Sequence, residues 1–260
     1  MKKLLSREEE LKNIFRYKWS PCDPMYYRSN LFIHTKRVTW IASEIAKFLN
    51  NVTAKKIDVW FVQEMANFHD DDEIIMWDYL AMDKEVFSPE QKKQYEFDSN
   101  NAIEILYIHY WNIWNNYDYK DILLKLRNKT WIEYLIVEFA DKLDAHLEVS
   151  HELFAWNKMF SVVLSDWWLN VGPFDYTRNK LKKRLDNFSE YFSPHIDLSG
   201  SFLDLNSTFD ENKCLKNSKL HKISNLWNTW YNLYDKWIDI HLKYGTQEDV
   251  NYLVNQLEFK

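Results

Sequence analysis

Apolar residues recur along this chain at intervals of three and four residues, the spacing of one face of an α-helix. One stripe begins at His34 and continues through Val38, Ile41 and Ile45, so a histidine starts a predicted buried face. A second stripe runs through residues 136–147. Both segments are therefore predicted to be helices with one face in the protein core.

Local start and stop signals predict further helices. The string Ser6-Arg7-Glu8-Glu9 fits a capping box and predicts a helix start at Ser6. Another helix is predicted from about Lys55 and ends at His69. A proline at the first helical position predicts a start at Pro89. The pair Gly172-Pro173 is the clearest internal break.

The composition favours an all-α fold. The 260 residues include only three glycines and five prolines, and helix-compatible residues run almost without interruption. A formal charge of −6 argues against nucleic acid as the main partner, because binding to its backbone needs a positive field. It does not argue against a small phosphate ester.

The sequence also predicts the compartment. No apolar run is long enough to span a membrane, and the run at the start of the chain is too short for a signal peptide. Cys22 and Cys214 form no CxxC pair and indicate no disulfide framework. A cytoplasmic protein with no membrane partner is predicted.

The last strong periodicity lies near the C-terminus. Its apolar residues form an a/d seam of Ile223, Trp230, Trp237 and Tyr244 with Leu226, Leu233 and Ile240. A seam this apolar must be covered, either by the core of the same chain or by a second copy in a homodimer. Consecutive tryptophans are bulky for a tight two-helix seam, which favours packing on the core.

Four residues carry the chemistry of a metal site. His34, His69, Asp70 and Asp141 lie at inward or border positions of predicted helices. Their donors suit a borderline or hard divalent cation and leave positions open for water and substrate. Taken singly, each residue has an ordinary structural explanation; His34, for example, could be a hydrogen-bonded histidine of the core. Together they favour a metal-dependent hydrolase, because uncompensated inward carboxylates are costly.

Further acidic groups follow the His-Asp pair. Glu73 falls four residues after His69 and three after Asp70, on the same face of a helix or continuing turn. It is placed to address an attacking water or a leaving group without binding the metal. Asp78 lies where the chain leaves this helix end and is a candidate to line the same cavity. The two aspartates between Asp70 and Glu73 are predicted to be solvated.

The order of these residues resembles the H…HD…D signature of the HD-domain metal-dependent phosphohydrolases, an all-α superfamily. Two strings resemble its bacterial 5′-deoxynucleotidase branch in particular. FHDDDEII, residues 68–75, is similar to the branch's aromatic-H-D-x-x-E-aliphatic segment. FADKLDA, residues 139–145, is similar to its A-D-x-L-D/C-A segment. The similarity covers roughly residues 16–153.

The resemblance implies an architecture and a cofactor. The expected fold is an HD-domain-like helical bundle over residues 1–155, with a C-terminal helical extension of unassigned role over residues 156–260. The expected cofactor is a divalent transition metal, which the pattern does not narrow beyond Mn, Co, Fe, Ni or Zn. By match, its ligands are His34, His69, Asp70 and Asp141.

Catalytic and substrate-binding roles are implied as well. By match, Glu73 assists phosphate-ester hydrolysis and Asp78 positions sugar and water. The branch has an Arg and a Trp upstream that hold the phosphate, and it has Glu where this chain has Ile33. The candidates for phosphate binding here are Lys18, Trp19, Arg28 and Lys142. Lys142 can equally be an ordinary surface lysine.

The predicted activity is hydrolysis of the phosphate ester of a nucleotide or a similar small molecule. Two alternatives are an HD fold retained as a ligand-binding or scaffolding module, and a different HD chemistry such as a di-iron oxygenase. The intact ligand set argues against the first. The second needs further ligands, and His109, His146 and His151 lack a convincing neighbour pattern.

Overall fold

The computed structural model describes residues 4–16, 29–53, 56–76, 87–110, 117–129, 131–154, 157, 160, 171–189, 240 and 243–244. These residues contain no strand, and their one β-bridge is an isolated pair between Phe15 and Asn30. The helices are α1 (Arg7–Lys12), α2 (Leu31–Val52), α3 (Val59–Phe68), α4 (Glu73–Met76), α5 (Pro89–Tyr110), α6 (Tyr119–Asn128), α7 (Ile132–Phe154) and α8 (Pro173–Ser189). The all-α prediction is confirmed.

Side-chain caps explain where several helices begin. The Ser6 capping box starts α1 as predicted, with reciprocal bonds between Ser6 and Glu9. The Asn30 side chain accepts a hydrogen bond from the Ile33 amide at the start of α2. Asp58 does the same for the Phe61 amide at the start of α3. The predicted start of α3 near Lys55 is therefore a few residues too early.

Three helices form the centre of the bundle. Helix α2 packs on α3 and α7, and α3 also contacts α7. The predicted stripe of α2 is fully buried from His34 to Ile45. The apolar stripe of α7 is buried as well, at Ile136, Ala140, Leu143 and Leu147. The inward faces of α2 and α7 meet next to the end of α3, so His34 and Asp141 are carried towards His69.

The remaining helices surround this centre. Helix α8 packs along α7 through the buried side chains of Phe174 and Leu181. Helix α1 lies on α2, and α5 contacts α4 and α6. Near the C-terminus, the Tyr244 ring packs edge-on against Phe32 of α2, with 6.0 Å between centroids. The rest of the predicted seam, apart from Ile240, lies outside the described residues. None of the described helices is long and apolar enough to cross a membrane.

Candidate metal centre

The structure brings donor atoms of His34, His69 and Asp70 within 4.8 Å of one another, and the fourth predicted ligand, Asp141, contacts His34. Nε2 of His34 lies 3.1 Å from Nε2 of His69, 3.2 Å from Oδ2 of Asp70 and 3.4 Å from Oδ1 of Asp141. Nε2 of His69 lies 3.2 Å from the same Asp70 oxygen. These donors come from three places along the chain: α2, the turn after α3, and α7.

The spacing of the donors fits a single cation. Two donors about 2.1 Å from one ion, at angles of 90° to 110°, are roughly 3.0 to 3.4 Å apart. The distances around His34 and His69 fall within that interval. His34 is fully buried, whereas the side chains of Asp70 and Asp141 are 20% and 17% exposed. The cluster therefore has a closed side at His34 and a side that water and substrate can reach.

Both histidines present the same nitrogen to the cluster. Nδ1 of His69 lies 2.7 Å from the backbone oxygen of Ala66, and Nδ1 of His34 lies 2.6 Å from Oδ2 of Asp144. A carbonyl or carboxylate oxygen only accepts, so each Nδ1 carries the hydrogen. In the neutral imidazole, Nε2 then has a lone pair for a metal.

The electrostatics of the cluster favour positive charge at its centre. Burial and the Arg16 charge lower the pKa of His34, but hydrogen bonds to Asp141, Asp144 and Asp70 outweigh them and raise it to about 10. Burial opposes ionisation of Asp141, yet the Lys142 charge and the hydrogen bond to His34 hold its pKa well below the usual range. Either a proton on His34 or a metal cation supplies the positive charge that these carboxylates favour.

The pKa of Asp70 changes in the same direction. Burial alone would raise it, but the charge of His69 and the hydrogen bonds from His34 and His69 bring it well below the usual range. Asp70 is therefore an anion in the folded protein and is ready to bind a cation.

The prediction that the two aspartates after Asp70 are solvated is wrong for Asp71, which is buried, whereas the Asp72 side chain is 21% exposed. Asp71 is 1% exposed, and its carboxylate receives Nε of Arg7 at 2.7 Å and the hydroxyl of Tyr119 at 2.7 Å. Asp72 accepts hydrogen bonds from Ser99 and Arg127. Both carboxylates thus tie the His-Asp turn to α6, and Asp71 also ties it to α1 and Asp72 to α5.

Glu73 follows this turn with its side chain buried. Its amide donates to the backbone oxygen of Asp70 at 3.0 Å, which closes the predicted turn and sets Glu73 one turn beyond the His-Asp pair. Lys142 is partly exposed, and its ammonium group contacts Asp141. The other predicted site residues lie outside the described residues: Lys18, Trp19, Arg28 and Asp78.

Sequence reasoning missed two residues behind the site. Asp144 contacts His34, and Arg37 binds the Asp144 carboxylate through two nitrogens at 2.7 and 2.8 Å. Helical spacing places Arg37 one turn after His34 and Asp144 one turn after Asp141, but it does not indicate that Arg37 and Asp144 are in contact. Asp144 also supplies a carboxylate to His34, whose preceding residue, Ile33, offers none.

Comparison with known proteins identifies the family. A family model described as 5′-deoxynucleotidase YfbR-like matches residues 5–191. The chain belongs to this family. Among solved structures, a conserved hypothetical protein from Pyrococcus furiosus is similar, with a TM-score of 0.47 and 17% identity over 71% of this chain and 96% of that chain. No curated protein matches the chain.

Family membership confirms the enzyme class predicted from the sequence. The YfbR-like family belongs to the HD-domain phosphohydrolases, which bind a divalent metal, and this chain is a metal-dependent nucleotide phosphohydrolase. Neither the binding-module alternative nor the oxygenase alternative gains support. The family match extends from α1 to the end of α8 and so includes helices on both sides of the metal cluster.

Proposed function

We propose that this enzyme removes the phosphate group from deoxynucleoside 5′-monophosphates, using one divalent transition metal. The observation that carries the proposal is that Nε2 of His34 has Nε2 of His69 and one oxygen each of Asp70 and Asp141 at 3.1 to 3.4 Å. The proposed ligands are His34, His69, Asp70 and Asp141. The printed description of the family supports the choice of substrate.

The chemistry needs a nucleophile and a cation near the phosphate. A divalent cation at this position lowers the pKa of water towards neutrality and polarises a phosphoryl oxygen. Asp70 and Asp141 hold the negative charge that attracts the cation and expose part of their surface to the substrate side. His34 closes the opposite side.

Glu73 is proposed to move the proton. Glu73 is buried one turn after the metal-binding pair, and the hydrogen bond from its amide to the backbone oxygen of Asp70 fixes its backbone there. A carboxylate in such surroundings can take a proton from the attacking water and pass it to the leaving oxygen. Glu73 therefore acts next to the metal ligands without being one of them.

The remaining proposed roles concern the substrate. Lys142 lies beside Asp141 and can offset the charge of the bound phosphate by shifting its ammonium group. Lys18, Trp19 and Arg28 are proposed to hold the phosphate, and Asp78 to position the sugar. These four assignments depend on the resemblance of the sequence to the 5′-deoxynucleotidases.

A phosphate-release assay tests the proposed function. The protein is stripped with a chelator and reloaded with Mn²⁺, Co²⁺, Fe²⁺, Ni²⁺ or Zn²⁺. It is then offered a deoxynucleoside 5′-monophosphate, the matching deoxynucleoside 3′-monophosphate and a 5′-phosphorylated oligonucleotide. Metal-dependent release from the 5′-mononucleotide above the other two is expected. The surface variant Glu104→Gln, which removes an exposed pair with Lys120, controls for handling. No phosphate release from the deoxynucleoside 5′-monophosphate with any metal would contradict the proposal.

A further inference from the structure

A buried ion pair lies directly behind the candidate metal centre. Oδ2 of Asp144 is 2.6 Å from Nδ1 of His34, on the side of the ring that faces away from the metal cluster. Arg37 binds the same carboxylate, with Nε 2.7 Å from Oδ1 and Nη2 2.8 Å from Oδ2. All three side chains are fully buried.

We propose that Asp144 is a positioning residue that fixes the tautomer and the ring orientation of His34, with Arg37 holding Asp144 in place. The inference rests on the proposed metal site. It assigns a role to two residues that neither bind the metal nor reach the substrate.

The hydrogen-bonding capacities of the three groups carry the argument. A carboxylate accepts only, so its contact with His34 requires a hydrogen on Nδ1. The lone pair of the neutral ring is then on Nε2, where the donors of His69, Asp70 and Asp141 converge. Without an acceptor at Nδ1, the hydrogen can move to Nε2 and point into the site.

Arg37 makes this arrangement rigid. Its two-nitrogen contact occupies both oxygens of Asp144, so the carboxylate cannot rotate away from His34. Arg37 also contacts Glu148, which accepts a hydrogen bond from Ser29 as well. Glu148 itself does not contact His34, although it is equally buried and belongs to the same ion cluster.

Glu148 therefore provides a matched control. Asp144→Asn and Glu148→Gln each remove one buried carboxylate charge from the cluster, but only the first changes the contact with His34. Metal-stripped proteins are titrated with Co²⁺ and followed by its visible absorption. Asp144→Asn should weaken Co²⁺ affinity by about 10- to 100-fold, the usual effect of losing such a partner. Glu148→Gln should weaken it clearly less.

A second measurement reads the tautomer directly. Nitrogen NMR of Zn²⁺-loaded protein with labelled histidine should show the hydrogen of His34 on Nδ1 and a metal-bound Nε2 in the wild type. A wild type that binds Co²⁺ but has no hydrogen on Nδ1 of His34 would overturn the proposal, even if Asp144→Asn fails to fold.

Two results with the variants would also overturn it. One is unchanged Co²⁺ affinity in folded Asp144→Asn, and the other is an equal loss of affinity in both variants, which would indicate cluster charge rather than ring positioning. A wild type that binds no Co²⁺ at all would instead contradict the proposed metal site.

Discussion

At the residue scale, His34 shows how charge organises the site. It lies within 3.4 Å of three carboxylates, from Asp70, Asp141 and Asp144, although it is fully buried. Arg37 pairs with Asp144 and Lys142 with Asp141, and a cation at the centre of the cluster would also compensate Asp70. The balance of charge therefore supports a metal-binding role more directly than the identity of any single residue does.

Glu73 and Asp70 should separate catalysis from metal binding. Glu73→Gln keeps the size of the side chain but removes its basic oxygen, so turnover should fall by about 100-fold or more while the metal content stays near that of the wild type. Asp70→Asn should lose metal and activity together. Metal analysis and steady-state kinetics on the same preparations measure both quantities. Wild-type turnover in Glu73→Gln would remove the proposed role of Glu73.

His146 should make folding sensitive to acid. Burial, together with the charge of Arg178, lowers its pKa to about 3, and Nδ1 contacts the hydroxyl of Thr177 at 2.8 Å. The unfolded chain binds a proton near the ordinary value of 6.5, so it binds more protons than the folded state between these two values. Stability is therefore lost as the pH falls through this window.

Denaturant unfolding of metal-free protein at two pH values measures the effect. This histidine should make the wild type about 2 kcal/mol less stable at pH 5 than at pH 7, at about 1.4 kcal/mol per pKa unit. His146→Gln removes the titrating group, so the free energy of unfolding should change less between pH 7 and pH 5 than it does in the wild type. Equal slopes in the two proteins would show that His146 is not buried in its neutral form.

Single residues also show what the sequence could and could not predict. The His34 and Asp141 stripes are periodic, and periodicity alone predicts which way such residues face. Asp144 and Arg37 look like an ordinary charged pair until α2 and α7 are brought together. Asp144 lies more than 100 residues from both Arg37 and His34 along the chain, and helical spacing carries no information about contacts between such distant residues.

At the element scale, the turn between α3 and α4 is held from several sides. Arg7 of α1 pairs with Asp71, contacts the backbone oxygen of Asn67, and lies over the Phe68 ring at 4.7 Å. The sequence placed His69 correctly at a helix end but not Asp71 in a buried pair. The acidic run at residues 70–72 is typical of a solvated segment. The sequence does not show that Arg7, from a distant helix, pairs with Asp71.

Arg7→Ala should therefore be strongly destabilising. It leaves the Asp71 charge buried without its arginine, which costs roughly 3 kcal/mol or more in comparable pairs. The control is Lys12→Ala on the same helix, which removes an exposed pair with Glu8 and should cost at most about 1 kcal/mol. Urea unfolding of metal-free protein compares them. Equal effects would mean that Arg7 does not anchor the turn.

The next feature is the packing of the C-terminal segment. We propose that the segment after α8 packs on the core, and the contact of Tyr244 with Phe32 of α2 supports it. Lys36 also lies over the Tyr244 ring, at 5.9 Å. In the alternative from the sequence, a homodimer, a second copy of the chain would cover the same seam.

At the scale of the whole molecule, the site exists because the bundle brings three distant segments together. The sequence predicted the helices and the enzyme class, and it named the His34, His69 and Asp70 side chains that meet in the structure, because each depends on local patterns or short motifs. It did not predict the network behind His34 or the anchoring of the turn, because both depend on how the helices pack. The metal should therefore link α2, the α3–α4 turn and α7 into one unit.

Anomalous X-ray scattering from Mn²⁺-loaded crystals tests this account most directly. One strong peak is expected, about 2.0 to 2.3 Å from Nε2 of His34, Nε2 of His69 and a carboxylate oxygen of both Asp70 and Asp141. A peak held by other residues, or no peak at this position in crystals saturated with Mn²⁺, would contradict it.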